Sequence, residues 1–129
     1  MELKDTEETR QLWNKAFTLT FTITLKATEV DLNVVVVNRG DEELDMTFCF
    51  HTYFTVSDLQ KVEISNLKGL SYTDKTAEGM PTRIEENELV TIAGFTDRVY
   101  SNAPDQIDLR RGGDSSRKLM LTKSGFADW

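Results

Sequence analysis

The chain holds a single histidine, His51, and a single cysteine, Cys49. An imidazole exchanges protons near neutral pH more readily than other side chains, so His51 is the first candidate for a general acid or base. It opens the run His51-Thr52-Tyr53-Phe54, followed by Thr55-Val56-Ser57-Asp58. At a strand end the pleat would put His51 and Tyr53 on one face and Phe50 on the other. An acid beside an aromatic platform suits a sugar, which offers hydroxyl edges and a flat C–H face for stacking. A surface or structurally hydrogen-bonded histidine is the commoner fate of a lone imidazole, and these residues alone leave both readings open. Cys49 would share the His51 face, but no second histidine or neighbouring cation activates it, so a buried, inert thiol is expected. Asp and Glu are plentiful without any spacing that marks a metal site, and no cofactor is expected.

The elements that must position these groups read as β throughout. Phe17, Leu19, Phe21, Ile23 and Leu25 alternate with Thr18, Thr20, Thr22 and Thr24, the period of a strand with one apolar face. The threonine stripe is expected on the solvent side. Lys26-Ala27-Thr28-Glu29 reads as a turn, and Val30, Leu32, Val34 and Val36 alternate up to the turn cluster Asn38-Arg39-Gly40-Asp41. Leu44, Met46, Phe48 and Phe50 predict a third strand, completing an antiparallel meander. Short strands are expected at 62–64, 70–73, 89–92, 98–101, 106–109 and 118–122, with residues 111–116 turning the last pair. Residues 75–88 carry Gly79, Pro81 and many charges without periodicity, and read as a long surface loop. Residues 6–11 allow one helical turn at most, and Trp13 is expected in the core. Many short strands with so little helix predict an all-β fold, an antiparallel β-sandwich.

Composition limits what such a fold can do. At 129 residues, the length suits one domain, and a chain of this size buries roughly two-thirds of its unfolded surface. With 15 Lys+Arg against 22 Asp+Glu the net charge is −7, which argues against nucleic acid, because neutralising phosphates requires clustered cations. Arg110-Arg111 and Arg117-Lys118 are too sparse to form a patch. The longest apolar run, Val34 to Val37, is far below the roughly 18 residues of a membrane helix, and the polar start is not a signal peptide. A lone cysteine forms no internal disulfide and fits a reducing compartment, so a soluble, cytoplasmic protein is expected.

Four stretches carry a resemblance. Glu8-Thr9-Arg10-Gln11-Leu12-Trp13, then His51 through Asp58, then Asp74-Lys75 after Tyr72, then Asp97-Arg98-Val99-Tyr100 occur in the order seen in glucose-6-phosphate 1-epimerases. The chain therefore resembles, over most of its length, the aldose 1-epimerase or galactose mutarotase-like superfamily. The His-Thr-Tyr-Phe and Asp-Arg-Val-Tyr motifs are specific together and weak singly. The resemblance implies a β-supersandwich, a hexose 6-phosphate substrate, no metal, and interconversion of α and β anomers through the open-chain sugar. Mutarotation needs a proton delivered to the ring oxygen while another leaves the anomeric hydroxyl, so an acid and a base must flank the sugar. By the resemblance His51 is the acid and Asp97 a carboxylate that binds sugar hydroxyls, with Tyr53 beside them as a substrate-binding residue. Without it, Asp97 is equally well a turn residue after Gly94-Phe95-Thr96.

The chain also departs from the family. Asn14-Lys15 stands where Pro-His usually follows Leu12-Trp13. The family's upstream segment of arginines and glutamine, which binds phosphate and sugar, has no counterpart before Glu8. Its downstream Trp-Asn-Pro-Trp segment and general-base glutamate would begin where Trp129 stands. The resemblance thus leads us to expect a partial form of the domain with impaired epimerase activity, self-associating through strand edges left without partners. The alternative is a noncatalytic β-sandwich module that binds carbohydrate or a protein.

Overall fold

The computed structural model describes residues 1–112 and 118–126, and the chain falls into two units, Met1–His51 and Thr52–Trp129. The first unit is built on the alternating segments. Strands β1 (Glu2–Lys4), β2 (Phe17–Leu25) and β3 (Val30–Asn38) form an antiparallel sheet in the order β1-β2-β3. The expected turn joins β2 to β3, closed by the Lys26 amide donating to the Glu29 carbonyl at 2.9 Å. Lys26 also pairs with the carboxylates of Glu29 and Asp31. The register Leu25↔Val30, Ile23↔Leu32, Phe21↔Val34 and Leu19↔Val36 puts these apolar residues on one face, as period two requires, with Val35 and Val37 on the other opposite Thr20 and Thr18.

Helix α1 (Glu7–Leu12) runs slightly longer than the single turn expected. Thr6 explains why it forms: its hydroxyl accepts from the Thr9 amide at 3.2 Å, while the Thr9 hydroxyl accepts from the Thr6 amide at 2.8 Å. Two otherwise orphaned donors are thereby satisfied. Asp5 then ties the helix to the sheet, accepting from the Phe17 amide at 3.0 Å and from the Arg10 guanidinium.

Several expectations fail in this unit. No strand forms over 44–50, and the third strand of the sheet is β1. A strand needs a neighbour for its backbone groups, and alternation specifies faces, not partners. The alternation survives as packing: Leu44, Met46 and Phe50 are half-buried while Asp45, Thr47 and Cys49 are exposed. Phe50 lies 6.1 Å from the Phe21 ring and 5.2 Å from Phe48, so the segment meets the sheet through its rings. Cys49 is exposed, not buried, because it sits on the side of this segment that turns away from those rings. Trp13 stacks on Phe17 at 5.4 Å but stays 39 % exposed, a cover on the sheet instead of a core residue. The threonine stripe is split: Thr22 and Thr24 face solvent, whereas Thr18 is buried and accepts from Arg39 Nε at 3.3 Å. At the far end of the hairpin the apolar face is open, with Ile23, Leu25, Val30 and Leu32 exposed.

The second unit contains two further antiparallel sheets. One comprises β4 (Val62–Ser65), β7 (Val90–Thr91), β9 (Gln106–Arg111) and β10 (Lys118–Thr122), in the order β10-β9-β4-β7. The other comprises β5 (Ser71–Asp74), β6 (Thr82–Ile84) and β8 (Arg98–Tyr100), in the order β6-β5-β8. Both contribute to one core: Val90 and Ile107 from the first sheet and Tyr72 and Tyr100 from the second, with Leu67 and Ala103, are buried together. Two antiparallel sheets sharing a core make this unit a β-sandwich, and the all-β expectation holds. The strands expected at 62–64, 70–73, 89–92, 98–101, 106–109 and 118–122 are all present within a residue or two. The turn expected at 111–116 lies largely outside the described residues. Residues 75–88 are not simply a surface loop. They contain β6, and Glu85 just after it is 2 % exposed, held by backbone bonds that periodicity does not reveal: the Glu85 amide donates to the Leu70 carbonyl at 2.9 Å and its own carbonyl accepts from the Gly69 amide at 2.7 Å.

Candidate functional site

The residues singled out from sequence fall in both units. His51 is exposed and ends the first unit, in an irregular segment, so the pleat argument that paired it with Tyr53 lapses. Tyr53 is 86 % exposed at the start of the second unit. Asp97 is exposed and stands immediately before β8.

Around Asp97 two of the sequence motifs become one structure. Strands β5 and β8 pair antiparallel with Tyr72 opposite Tyr100, Thr73 opposite Val99 and Asp74 opposite Arg98. The ladder continues one step further, where the Lys75 amide donates to the Asp97 carbonyl at 2.9 Å. Tyr72 through Lys75 and Asp97 through Tyr100, far apart in sequence, are thus a single hairpin-like pair whose open end presents Asp97. Asp74 sits beside this end. It accepts from the Thr76 hydroxyl at 2.6 Å and from the Thr76 amide at 3.1 Å, and its carboxylate lies 3.4 Å from the Arg83 guanidinium. The Thr76 hydroxyl first, then its amide and the charges of Arg83 and Arg98, hold the Asp74 carboxyl below the usual aspartate range.

Behind Asp97 lies a polar cluster that sequence reasoning missed. The Glu85 carboxylate accepts from Tyr100 Oη at 2.7 Å, from Arg98 Nη1 at 3.1 Å, and from the Asn87 amide and side-chain Nδ2 at 3.1 and 2.8 Å. Burial works to raise the Glu85 carboxyl, but the bonds from Tyr100 and Asn87 and the Arg98 charge outweigh it, so the carboxyl is held below the ordinary glutamate value. Burial pushes the Tyr100 phenol up to about 12, and donation to the Glu85 carboxylate adds to the rise. The Arg98 guanidinium also lies over the Tyr72 ring, 4.7 Å from its centre. An open cleft of about 470 Å³ is lined by Tyr72, Arg83, Glu85, Asn87 and Arg98 among others. Arg98 and Tyr100 were visible as parts of a motif, but Glu85 carried no signal in its aperiodic, charged surroundings.

A family model described as aldose 1-epimerase matches residues 1–126, running through both units and all four motif stretches. The chain belongs to the aldose 1-epimerase family. Its similarity to individual members of that family is modest. A protein of Cenchrus ciliaris named "Putative glucose-6-phosphate 1-epimerase" is 25% identical over 130 residues, covering 98% of this chain and 39% of the relative. One of the same name from Escherichia coli (strain K12) is 34% identical over 105 residues, covering 81% of this chain and 33% of the relative. The chain thus spans between a third and two-fifths of the length of these curated relatives. Among the described residues of this aldose 1-epimerase family chain, no group of three or more His, Cys, Asp and Glu side chains is arranged to hold a metal ion. No helix among them is long and apolar enough to cross a membrane.

Proposed function

We propose that this chain is the acid-bearing, sugar-binding part of an epimerase that interconverts the α and β anomers of a hexose 6-phosphate. The observation that carries the reading is the family match across both units, together with the names of the two relatives. It also supports treating the two units as parts of one family domain, and a phosphorylated sugar substrate goes with a cytoplasmic location. In this reading His51 donates a proton to the ring oxygen as the bond from the anomeric carbon to that oxygen breaks. A base removes the proton of the anomeric hydroxyl, whose oxygen becomes the carbonyl of the open-chain aldehyde. Rotation about the adjacent carbon–carbon bond and reclosure, with both protons returned, give the other anomer. Asp97 accepts hydrogen bonds from sugar hydroxyls, and Tyr53 offers its exposed ring as a stacking surface. The base is assigned to none of these residues, and the reading expects impaired turnover of the sugar by this chain alone. Loss of one partner in a concerted proton transfer removes about 10²–10⁴ in rate.

The test is polarimetry of anomerically pure glucose 6-phosphate together with sugar binding followed by NMR. The expected result is weak binding that Asp97→Asn reduces, with a mutarotation rate close to buffer. A rate well above buffer that His51→Ala leaves unchanged overturns the role of His51. Binding indifferent to Asp97→Asn overturns the role of Asp97. The second reading is a noncatalytic module that binds carbohydrate or a protein, for which the open cleft lined by Arg83 and Arg98 offers a polar surface. It predicts binding with no His51-dependent rate in any longer form.

A further inference from the structure

We infer that Glu85 is a positioning residue for Asp97, acting as a strap across the sheet that holds the sugar-binding carboxylate. The inference rests on the proposed role of Asp97 and extends it to a residue that touches no substrate. Strand β8 needs such a strap because it has three residues and, among the described residues, lies at the edge of its sheet, paired only with β5. A short edge strand frays unless something besides its own ladder holds it. Glu85 stands at the opposite side of the same sheet, immediately after β6, and its backbone is anchored to Gly69 and Leu70 on the approach to β5. From there its carboxylate reaches over the middle strand to Arg98 at 3.1 Å and Tyr100 at 2.7 Å, the two inward-facing residues of β8. Tyr72 of the middle strand lies beneath the crossing, its ring 4.7 Å from the Arg98 guanidinium carbon and 5.0 Å from the Tyr100 ring.

The strap grips the residue next to Asp97. Period two turns Arg98 and Tyr100 inward and leaves Asp97 on the other side, so a bond to Arg98 fixes the backbone that carries Asp97 without occupying its carboxylate. The Lys75 amide on the Asp97 carbonyl completes the clamp and reports on it. The inward bonds are also strong ones. Glu85 is 2 % exposed and ionised, so its hydrogen bonds are charge-assisted, and the one from Tyr100 is buried.

The experiment compares the unmodified chain with Glu85→Gln, with Tyr100→Phe as the milder variant that keeps the buried ring, with Asp97→Asn, and with both changes to Glu85 and Asp97 together. Hydrogen exchange of the Lys75 amide reads the clamp, and NMR titration with glucose 6-phosphate reads the sugar site. Glu85→Gln is expected to speed Lys75 exchange and to weaken sugar binding on the order of tenfold or more, as misplacement of a binding group does. Tyr100→Phe is expected to act in the same direction and less. In the Asp97→Asn background, removing Glu85 is expected to weaken binding no further, because its effect passes through Asp97. A Glu85→Gln effect on binding that persists in full in that background, or one absent from both readouts, overturns the inference. Failure of the underlying reading looks different: Asp97→Asn then binds like the unmodified chain, whatever the Lys75 exchange shows.

Discussion

Raising the pH past 10 should unlock the Glu85 cluster through one phenol. Tyr100 is buried and donates to a carboxylate, and its pKa stands at about 12 against an ordinary value of 10.0. A folded-state pKa above the unfolded value means that the neutral phenol stabilises the native state fully below pH 10. That contribution falls away as the pH rises through 12, because the unfolded chain releases the proton first. At about 1.4 kcal/mol per unit, two units correspond to roughly 2–3 kcal/mol lost between pH 10 and 12. The measurement is a difference, which cancels what the two chains share: urea unfolding of the unmodified chain and of Tyr100→Phe at intervals from pH 8 to pH 12. Near pH 8 the variant is expected to be less stable by about 1.5–3 kcal/mol, the worth of a hydrogen bond to a charged acceptor. Above pH 10 the gap should close, since only the unmodified chain has a phenol to ionise there. Two stability curves that stay parallel across the whole range would refute the coupling of Tyr100 to Glu85.

Other substitutions probe each unit separately. Gly112 has φ +74° and an added Cβ would come within 2.3 Å of the Asp58 carbonyl oxygen, so Gly112→Ala should cost about 1–3 kcal/mol or more in denaturant unfolding. Thr6→Ala removes the reciprocal cap of α1 and should cost about 1 kcal/mol, read by the same method. The Asp5 carboxyl is held below its ordinary 3.8 by Arg10 and by the Phe17 amide. Its stabilising effect is therefore present above that value and lost as the pH falls through the lower folded value. Asp5→Asn should flatten the acid limb of the stability profile relative to the unmodified chain. Leu25→Lys at the open end of the β2–β3 hairpin should leave stability within about 0.5 kcal/mol, because Leu25 is 75 % exposed.

How much of this was legible in advance depended on the range of the forces involved. The β2–β3 hairpin could be read residue by residue, since alternation and a turn are local properties and the pairing of Leu25 with Val30 follows from them. The strands at β4, β5, β8, β9 and β10 were readable for the same reason. The stretch from Leu44 to Phe50 shows the limit: its alternation is as clean as that of β2, and Leu44, Met46 and Phe50 are half-buried, yet no strand forms. Cys49 and Trp13 were misplaced because residue type gives a preference for the interior, while exposure depends on what else packs there.

For the candidate site, the motifs and their order along the chain indicated the family, and that resemblance is what makes His51, Tyr53 and Asp97 the candidates. Composition and period were enough for an antiparallel all-β fold. Only the tertiary structure brought Tyr72–Lys75 beside Asp97–Tyr100, and only it put Glu85 beneath them. The physical reason is that a buried carboxylate is recognisable by its partners and not by its neighbours in sequence. Glu85 meets Arg98 and Tyr100 because folding lays three short strands side by side, and no local pattern around residue 85 records that encounter.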